Sequence, residues 1–121
     1  MANKLLIIML NTDPSNPSEL GEPFFQATVA AAMEYDVEVV MTGRAGELAI
    51  KGVAEGIPLR KGESKTVYDI IKDAHEAGVK FKVCISVEQW GDDFIPEIEE
   101  TIGGAYLISE AMDEDTVTFT Y

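Results

Sequence analysis

The chain begins with a short, unbroken run of apolar side chains. Residues 4–10 read Lys-Leu-Leu-Ile-Ile-Met-Leu, and the polar loop sequence Asn-Thr-Asp-Pro follows directly. A short apolar run without polar alternation is typical of a strand that is buried on both faces, as the strands of parallel sheets are. We therefore predict a first strand inside a parallel sheet, and this strand enters a loop at Asn11.

The remaining sequence alternates between helix and strand patterns. Alanine-rich residues 23–35 favour a helix, and residues 64–78 predict another, with an N-cap and an [ST]-x-x-[DE] pattern at its start. Further helices are predicted at 47–51 and 96–104, and further strands at 37–42, 79–85, 105–108 and 116–121. This order predicts a three-layer α/β/α sandwich with a mostly parallel five-stranded sheet.

The composition is that of one domain in a reducing compartment. A chain of 121 residues can bury a full core, so residues 1–121 are predicted to form a single domain. Its one cysteine can form no intrachain disulfide, and no Cys/His cluster is present for a zinc site. The first residues lack the features of a secretory signal, and no run is long enough to span a membrane. We expect a cytoplasmic protein without a metal or other cofactor.

The net charge of −13, from 9 basic and 22 acidic residues, limits the choice of partners. This charge repels the phosphates of nucleic acids and anionic lipid surfaces, so we expect neither a nucleic acid nor a membrane as a partner. The acidic residues occur in small groups, such as 92–93 and 113–115, which are typical of solvated loops and helix faces. Solubility is the simplest explanation of the acidity.

Cys84, the only cysteine, stands where the strand pattern of residues 79–85 gives way to a polar turn. Loops at the carboxyl ends of strands form the ligand crevice of an open α/β sheet, so the thiol is predicted to face that edge. Ser86 can cap a following helical turn, and Lys82 has the same strand parity at roughly 7 Å; both would favour a thiolate. The alternative is a cysteine packed as a small hydrophobe.

Two kinds of cysteine chemistry are excluded by what the thiol lacks. A cysteine hydrolase needs a histidine base, and His75, the only histidine, is predicted to lie roughly 15 to 20 Å from Cys84, at the opposite edge of the sheet. Disulfide chemistry within one chain needs a resolving cysteine. A lone thiolate can still accept a sulfane sulfur from a donor persulfide and pass it on, because that exchange needs neither a base nor a metal.

Other polar features have simple structural explanations. Residues 11–16 match a calcium loop poorly, and residues 43–46 are better interpreted as a tight turn than as an anion site. Trp90 either packs its own loop or shapes a partner surface. A weaker hypothesis is a small-ligand site in the crevice at the switch point of the sheet. The residues of this crevice are Asn11, Thr12, Thr42 and Gly43.

Three segments of the chain resemble the DsrE/DsrF-like family of small sulfur-relay proteins, which includes the TusD-type subunits. They are the strand 4–8, the alanine-rich helix followed by residues 37–43, and residues 77–84, and the resemblance extends over nearly the whole length. It implies a five-stranded parallel sheet in an α/β/α sandwich and homo- or hetero-oligomers such as trimers or hexamers. It also implies a cysteine that holds a persulfide, and Cys84 matches that cysteine.

Two functional hypotheses follow. The first is a cytoplasmic sulfur carrier in which Cys84 is the nucleophile that becomes a persulfide, with Lys82 and Ser86 supporting the thiolate. Trp90 then shapes the surface that meets the sulfur donor and acceptor proteins. The second is a non-catalytic oligomeric binding or scaffold module in which Cys84 is merely packed. Exposure of the one sulfur atom distinguishes the two.

Overall fold

Five parallel strands form one sheet in the order β4-β3-β2-β1-β5. The computed structural model describes residues 3–60, 62, 64–84 and 93–121. The strands are β1 (Lys4–Met9), β2 (Asp36–Met41), β3 (Lys80–Cys84), β4 (Ile98–Ile102) and β5 (Thr116–Thr120). The α-helices in this part of the chain are α1 (Gly21–Ala32), α2 (Val67–Glu76) and α3 (Gly104–Ala111). Short 3₁₀ segments occupy Pro17–Glu19, Gly43–Ala49 and Ala54–Gly56.

The helices cover the two faces of the sheet unequally. Helices α1 and α2 pack on one face, where Phe24 and Ile71 join the main core around Phe81 of β3. On the other face, α3 is the one helix of the described residues that packs over the sheet, and it covers a smaller apolar cluster that contains Leu6 and Val40. We call these the two-helix face and the α3 face. The arrangement confirms the predicted three-layer α/β/α sandwich.

The chain crosses the sheet in two ways. From β1 it steps through α1 to β2 and through α2 to β3, moving one strand at a time toward the β4 edge. Helix α3 instead connects β4 at one edge to β5 at the opposite edge. The strand order therefore reverses between β1 and β5, and this is the switch point of the sheet.

The starts of α1 and α2 are set by local chemistry. Helix α1 begins at Gly21, before the predicted residue 23, because Pro23 falls in the first turn, where its missing N–H has no intrahelical partner to bond. Helix α2 has the predicted capping box: the Thr66 N–H donates to Oδ2 of Asp69 at 2.8 Å. The predicted helix at 47–51 is a 3₁₀ segment at Gly43–Ala49.

The predictions for residues 96–108 were wrong. A helix was expected at 96–104, but this stretch holds β4, and the expected strand at 105–108 lies within α3. A β-bulge between β3 and β4 breaks the alternation of side chains, so Ile98 joins the main core while Ile102 faces α3. The spacing of these two apolar residues, four apart, therefore resembles that of one face of a helix. Gly103, expected to end a helix, is the extended N-cap of α3.

Candidate functional site

Cys84 is the last residue of β3, as predicted, so its thiol lies at the carboxyl edge of the sheet. Its side chain is partly buried. Side chains two apart on a strand point to the same face, so Cys84 lies on the α3 face together with Lys82. Its register partner on β4 is Ile102, a buried member of the apolar cluster under α3. The thiol therefore lies between the apolar cluster under α3 and the carboxyl edge of the sheet.

The proposed crevice residues lie at this same edge, but only Asn11 and Thr12, which follow β1, adjoin the switch point, whereas Thr42 and Gly43 follow β2 on the other side of β1. Met41 pairs with Val83, so Thr42, which follows β2, stands beside Cys84. Thr12 and Thr42 are both buried, and the Thr42 N–H donates to the carbonyl oxygen of Met9 at 3.0 Å. Asn11 lies farther along the edge, where its N–H donates to the carbonyl oxygen of Tyr121. The strand that precedes Asn11, β1, and the strand that ends at Cys84, β3, are two positions apart in the sheet, roughly 10 Å at the usual spacing.

Gly43 is required by the geometry of the turn after β2. Its φ is +55°, and a Cβ atom there would lie 2.9 Å from the carbonyl oxygen of Leu10. The loops after β1 and β2 are also joined by an ion pair between Arg44 and Asp13, at 2.8 Å. Asp13 in turn accepts hydrogen bonds from the N–H and the hydroxyl of Ser15. These contacts make residues 11–16 and 43–46 two linked turns, as the sequence suggested for each.

An ionic cluster with a buried centre, which was not predicted from the sequence, lies near Cys84 on the α3 face. Glu38 of β2, nearly inaccessible to solvent, accepts bonds from Lys4 at 2.9 Å and from Lys82 at 3.2 Å. Lys82 also pairs with Glu100 of β4 at 3.1 Å. The cluster, which we call the Lys-Glu cluster, consists of Lys4, Glu38, Lys82, Glu100, Tyr106 and Glu110.

Tyr106 connects the Lys-Glu cluster to helix α3. Lys82 donates to the phenol oxygen, and the phenol O–H donates to Oε1 of Glu38 at 3.0 Å. The ammonium group of Lys82 also lies 4.5 Å from the centre of the Tyr106 ring. Glu110, one turn further along α3, pairs with Lys4 of β1. These polar contacts attach α3 to β1, β2 and β3 at once.

The charges in the cluster hold one another in their ionised states. Burial alone would raise the pKa of Glu38, but hydrogen bonds from Lys4, Lys82 and Tyr106 outweigh it and lower the pKa below the ordinary value. Burial would lower the pKa of Lys82, but bonds to Tyr106, Glu100 and Glu38 outweigh it and raise the pKa. Three carboxylates against two ammonium groups leave the cluster with an excess of negative charge.

In this cluster, Lys82 has partners other than the thiolate that it was predicted to support. The ammonium group of Lys82 is shared between Glu38 and Glu100, and its side chain is only 8% exposed. Support of Cys84 by Lys82 stays a prediction. One signal in the sequence pointed to the cluster: Glu38 interrupts an otherwise apolar buried strand, and such a carboxylate needs a cationic partner.

The other predicted residues fall far from the thiol or outside the described chain. His75 lies in the last turn of α2 and lines a cleft with Gly78 and Glu97 at the amino edge of the sheet, as predicted. The whole of β3 separates it from Cys84. Ser86 and Trp90 lie outside the described residues. Within those residues, no group of three or more His, Cys, Asp or Glu side chains could hold a metal ion.

The match to a known family spans the strands that form this site. The sequence profile of the DsrE/DsrF-like family matches residues 4–89, which contain β1, β2, β3 and Cys84. The chain belongs to the DsrE/DsrF-like family. Membership gives it a sulfur-relay role in general terms, with relay proteins as its class of partner.

A solved structure shares the fold. The crystal structure of the YchN protein from E. coli superposes with a TM-score of 0.76, covers 100% of both chains and is 15% identical in sequence. At this identity the likeness shows a common fold. Among curated proteins, none matches the chain. No helix in the described part of the chain is long and apolar enough to cross a membrane.

Proposed function

We propose that this DsrE/DsrF-like chain is a sulfur carrier that holds sulfane sulfur as a persulfide on Cys84. The observation that carries the proposal is the position of the thiol: it ends an inner strand of the sheet at the carboxyl edge and is partly open to solvent. In sheets of this kind, that edge is where ligands and partners are met. The chain is the cytoplasmic member of a relay, between a sulfur donor protein and an acceptor protein.

The proposed reaction is an exchange between sulfur atoms. The Cys84 thiolate attacks the outer sulfur of a donor persulfide, a new S–S bond forms to Cys84, and the donor's own S–S bond breaks. The donor leaves as a thiolate, so charge and electrons balance without an external oxidant. An acceptor thiolate then attacks the outer sulfur on Cys84 in the same way. No histidine is needed, which agrees with the distant position of His75.

Several finer parts of this proposal rest on residues around the thiol. We place Ser86 at a turn that favours the thiolate and Trp90 on the surface that meets the partner proteins. Lys82 holds the end of β3 in place through Glu38 and Tyr106, and its Cα atom lies roughly 7 Å from that of Cys84 on the same face. Assembly into a homo- or hetero-oligomer, a trimer or a hexamer, completes the proposal.

Intact-mass spectrometry tests the carrier. After incubation with inorganic polysulfide or a small-molecule persulfide, the wild type gains the mass of one sulfur atom, and a reductant such as dithiothreitol removes it. Cys84→Ser gains nothing. A matched control places a cysteine at exposed Ser109 in the Cys84→Ser background, and this thiol gains sulfur at least tenfold more slowly. An unchanged wild-type mass with every donor, or equal uptake at position 109, would contradict the proposal.

The second candidate is a binding module in which Cys84 only packs. The excess negative charge of the Lys-Glu cluster favours it, because nearby carboxylates disfavour a thiolate. This module would show slow labelling of native Cys84 by iodoacetamide, and Cys84→Ser would keep its assembly and its partner binding. Labelling of the native protein at a rate near that of free cysteine would exclude it.

A further inference from the structure

Strand β5 forms an edge of the sheet, and its backbone orientation is fixed by two hydrogen bonds. The Tyr121 N–H donates to the carbonyl oxygen of Ile8 at 2.8 Å, and the Leu10 N–H donates to that of Tyr121 at 2.8 Å. Both groups of Tyr121 therefore point toward β1. Because successive residues of a strand point their backbone groups to opposite sides, Val117 and Phe119 also bond toward β1, and Thr118 and Thr120 point outward.

This edge has none of the usual protection against pairing with another strand. Exposed edge strands are normally blocked by lysine, by proline or by a bulge. Residues 116–121 read Thr-Val-Thr-Phe-Thr-Tyr, with no charge and no proline, and the pairing of β5 with β1 is regular. Such a strand has a high propensity to pair, since β-branched and aromatic residues favour strands.

An apolar patch flanks the same edge on the two-helix face. Val117 and Phe119 are 46% and 41% exposed because α1 packs over β1 and β2 and leaves β5 uncovered. Between β5 and α1 lies a groove of about 300 Å³, and none of the residues that line it is acidic. We call the edge strand with these side chains the β5 patch. Its apolar members are Val29, Met33, Tyr35, Val117 and Phe119.

We propose that β5 pairs with β5 of a second copy of this chain, antiparallel, around a two-fold axis that passes beside Thr118. A two-fold axis brings the same surface of both copies together, so the surface must match itself. The outward groups of Thr118 then bond reciprocally to Thr118 of the second copy. On either side of the axis, the Thr120 N–H donates to the Thr116 carbonyl oxygen, and the two sheets become one.

This register also matches the side chains. Val117 lies opposite Phe119 of the second copy on both sides of the axis, in the pairs whose side chains approach most closely. Asp115, the nearest charged residue in sequence, lies opposite Tyr121 and not opposite another carboxylate. In a chain with a net charge of −13, most other surfaces repel a second copy, whereas this one carries no charge along the paired residues.

The exposed apolar side chains supply most of the area that a stable contact needs. With roughly 150 to 250 Å² for a large side chain, the exposed fractions of the β5 patch amount to about 400 Å² on each copy. Two copies together contribute about 800 Å², and the outward backbone groups and threonine side chains of β5 add to this, toward the ~1,000 Å² that separates specific interfaces from incidental contacts. The two-fold axis fits a dimer, or a hexamer built from two trimers, and it excludes an isolated trimer.

Cysteine cross-linking tests the register. In the Cys84→Ser background, Thr118→Cys places two thiols beside the axis with Cα atoms about 5.5 Å apart, within the range for a disulfide. Mild oxidation should convert most of the protein into a covalent dimer. Thr116→Cys is the matched control, because its two copies would lie about 13 Å apart, and it should give at least tenfold less dimer. Equal cross-linking at both positions, or none at Thr118, would overturn the register.

Mass in solution tests the interface itself. The wild type should contain an even number of chains by light scattering, and Thr118→Pro should halve the number. Proline is tolerated here by the folded monomer because this N–H points outward. Phe119→Lys should also halve the number, whereas Ile108→Lys, at an exposed apolar residue of α3, should not. A monomer, an isolated trimer, or an undiminished mass in folded Thr118→Pro and Phe119→Lys would overturn the proposal, as would an interface formed only with a different protein.

Discussion

Lys82 of β3 bonds Glu38 of β2 at 3.2 Å, and the two side chains are 8% and 2% exposed. Such a buried pair adds little stability relative to well-packed apolar residues, but the loss of one partner is costly because it strands the other charge. Each has two further polar partners: Glu38 bonds Lys4 and Tyr106, and Lys82 bonds Glu100 and Tyr106. Glu38 is the more buried of the two, so its loss should be the more costly for the attachment of α3.

We expect Glu38→Gln to lower the free energy of unfolding by about 3 kcal/mol, because it leaves two lysines without their shared carboxylate. Urea denaturation measures this. Glu114→Gln, at an exposed carboxylate outside the cluster, is the matched control and should change the free energy by less than ~0.5 kcal/mol. Equal effects of the two variants would show that the cluster has no role in stability.

Stability should depend on pH through the same carboxylate. The pKa of Glu38 is lowered in the folded protein, so the unfolded state takes up the proton more readily. Its contribution is complete above the ordinary glutamate value of 4.5 and is lost as the pH falls below it, through the lowered pKa. The wild-type free energy of unfolding should therefore fall more steeply below pH 4.5 than that of Glu38→Gln. Parallel curves would contradict this origin.

The alkaline limit should be set by the lysines of the cluster. The pKa values of Lys4 and Lys82 are raised above the ordinary lysine value of 10.5. Their contribution is complete below that value and is lost as the pH rises through the raised pKa values. The free energy of unfolding should stay nearly level between about pH 5 and 10 with respect to this cluster. Lys82→Met should weaken the alkaline fall while leaving most of the acid fall in place.

The rate of Cys84 labelling should respond to the charges near it. Glu100→Gln removes the negative charge that pairs with Lys82. A thiolate at Cys84 is then less disfavoured, so the rate of labelling by iodoacetamide at neutral pH should rise roughly two- to fivefold. Lys82→Met should slow it by a similar factor. Glu99→Gln is the matched control, because Glu99 lines the cleft beside His75 and not the α3 face. Equal responses to the Glu99 and Glu100 variants would exclude local electrostatic control.

Gly43 should tolerate no side chain. Gly43→Ala meets both the positive φ and the carbonyl oxygen of Leu10, so it should destabilise the protein by about 2 kcal/mol or more. Gly104→Ala, at the first residue of α3 with open space around it, should be neutral or stabilising by up to about 1 kcal/mol. The comparison needs only thermal or urea unfolding. Similar losses at both positions would contradict the proposed strain.

The sequence predicted four of the five strands and missed β4, whose strand character comes from its neighbour. Residues 4–10 and 37–42 are apolar because the sheet encloses them, and such a pattern is visible without a structure. Strand β4 is exposed along most of its length, and its strand character comes from hydrogen bonds to β3. Those bonds leave no trace in side-chain polarity, and the bulge removes the remaining alternation.

The candidate site was predicted only as far as single positions allow. Cys84 could be placed at the end of a strand because the change from apolar to polar residues marks that end. The partners of Lys82 could not, since Glu38 and Glu100 are brought to it by the pairing of three strands. The role of Tyr106 could not be predicted either, because Tyr106 lies on α3 and residues 105–108 were predicted to form a strand.

The position of β5 beside β1 has a consequence for synthesis of the protein. Leu5 pairs with Val117, which lies 112 residues later in the chain, so β1 leaves the ribosome well before one of its two neighbours. At roughly 5 to 20 residues per second, β1 waits several seconds or more with an open flank. During that time β1 can pair with β2 on one side, while its backbone groups on the other side have no partner strand. This unpaired side of β1 is where we expect a chaperone to bind the growing chain.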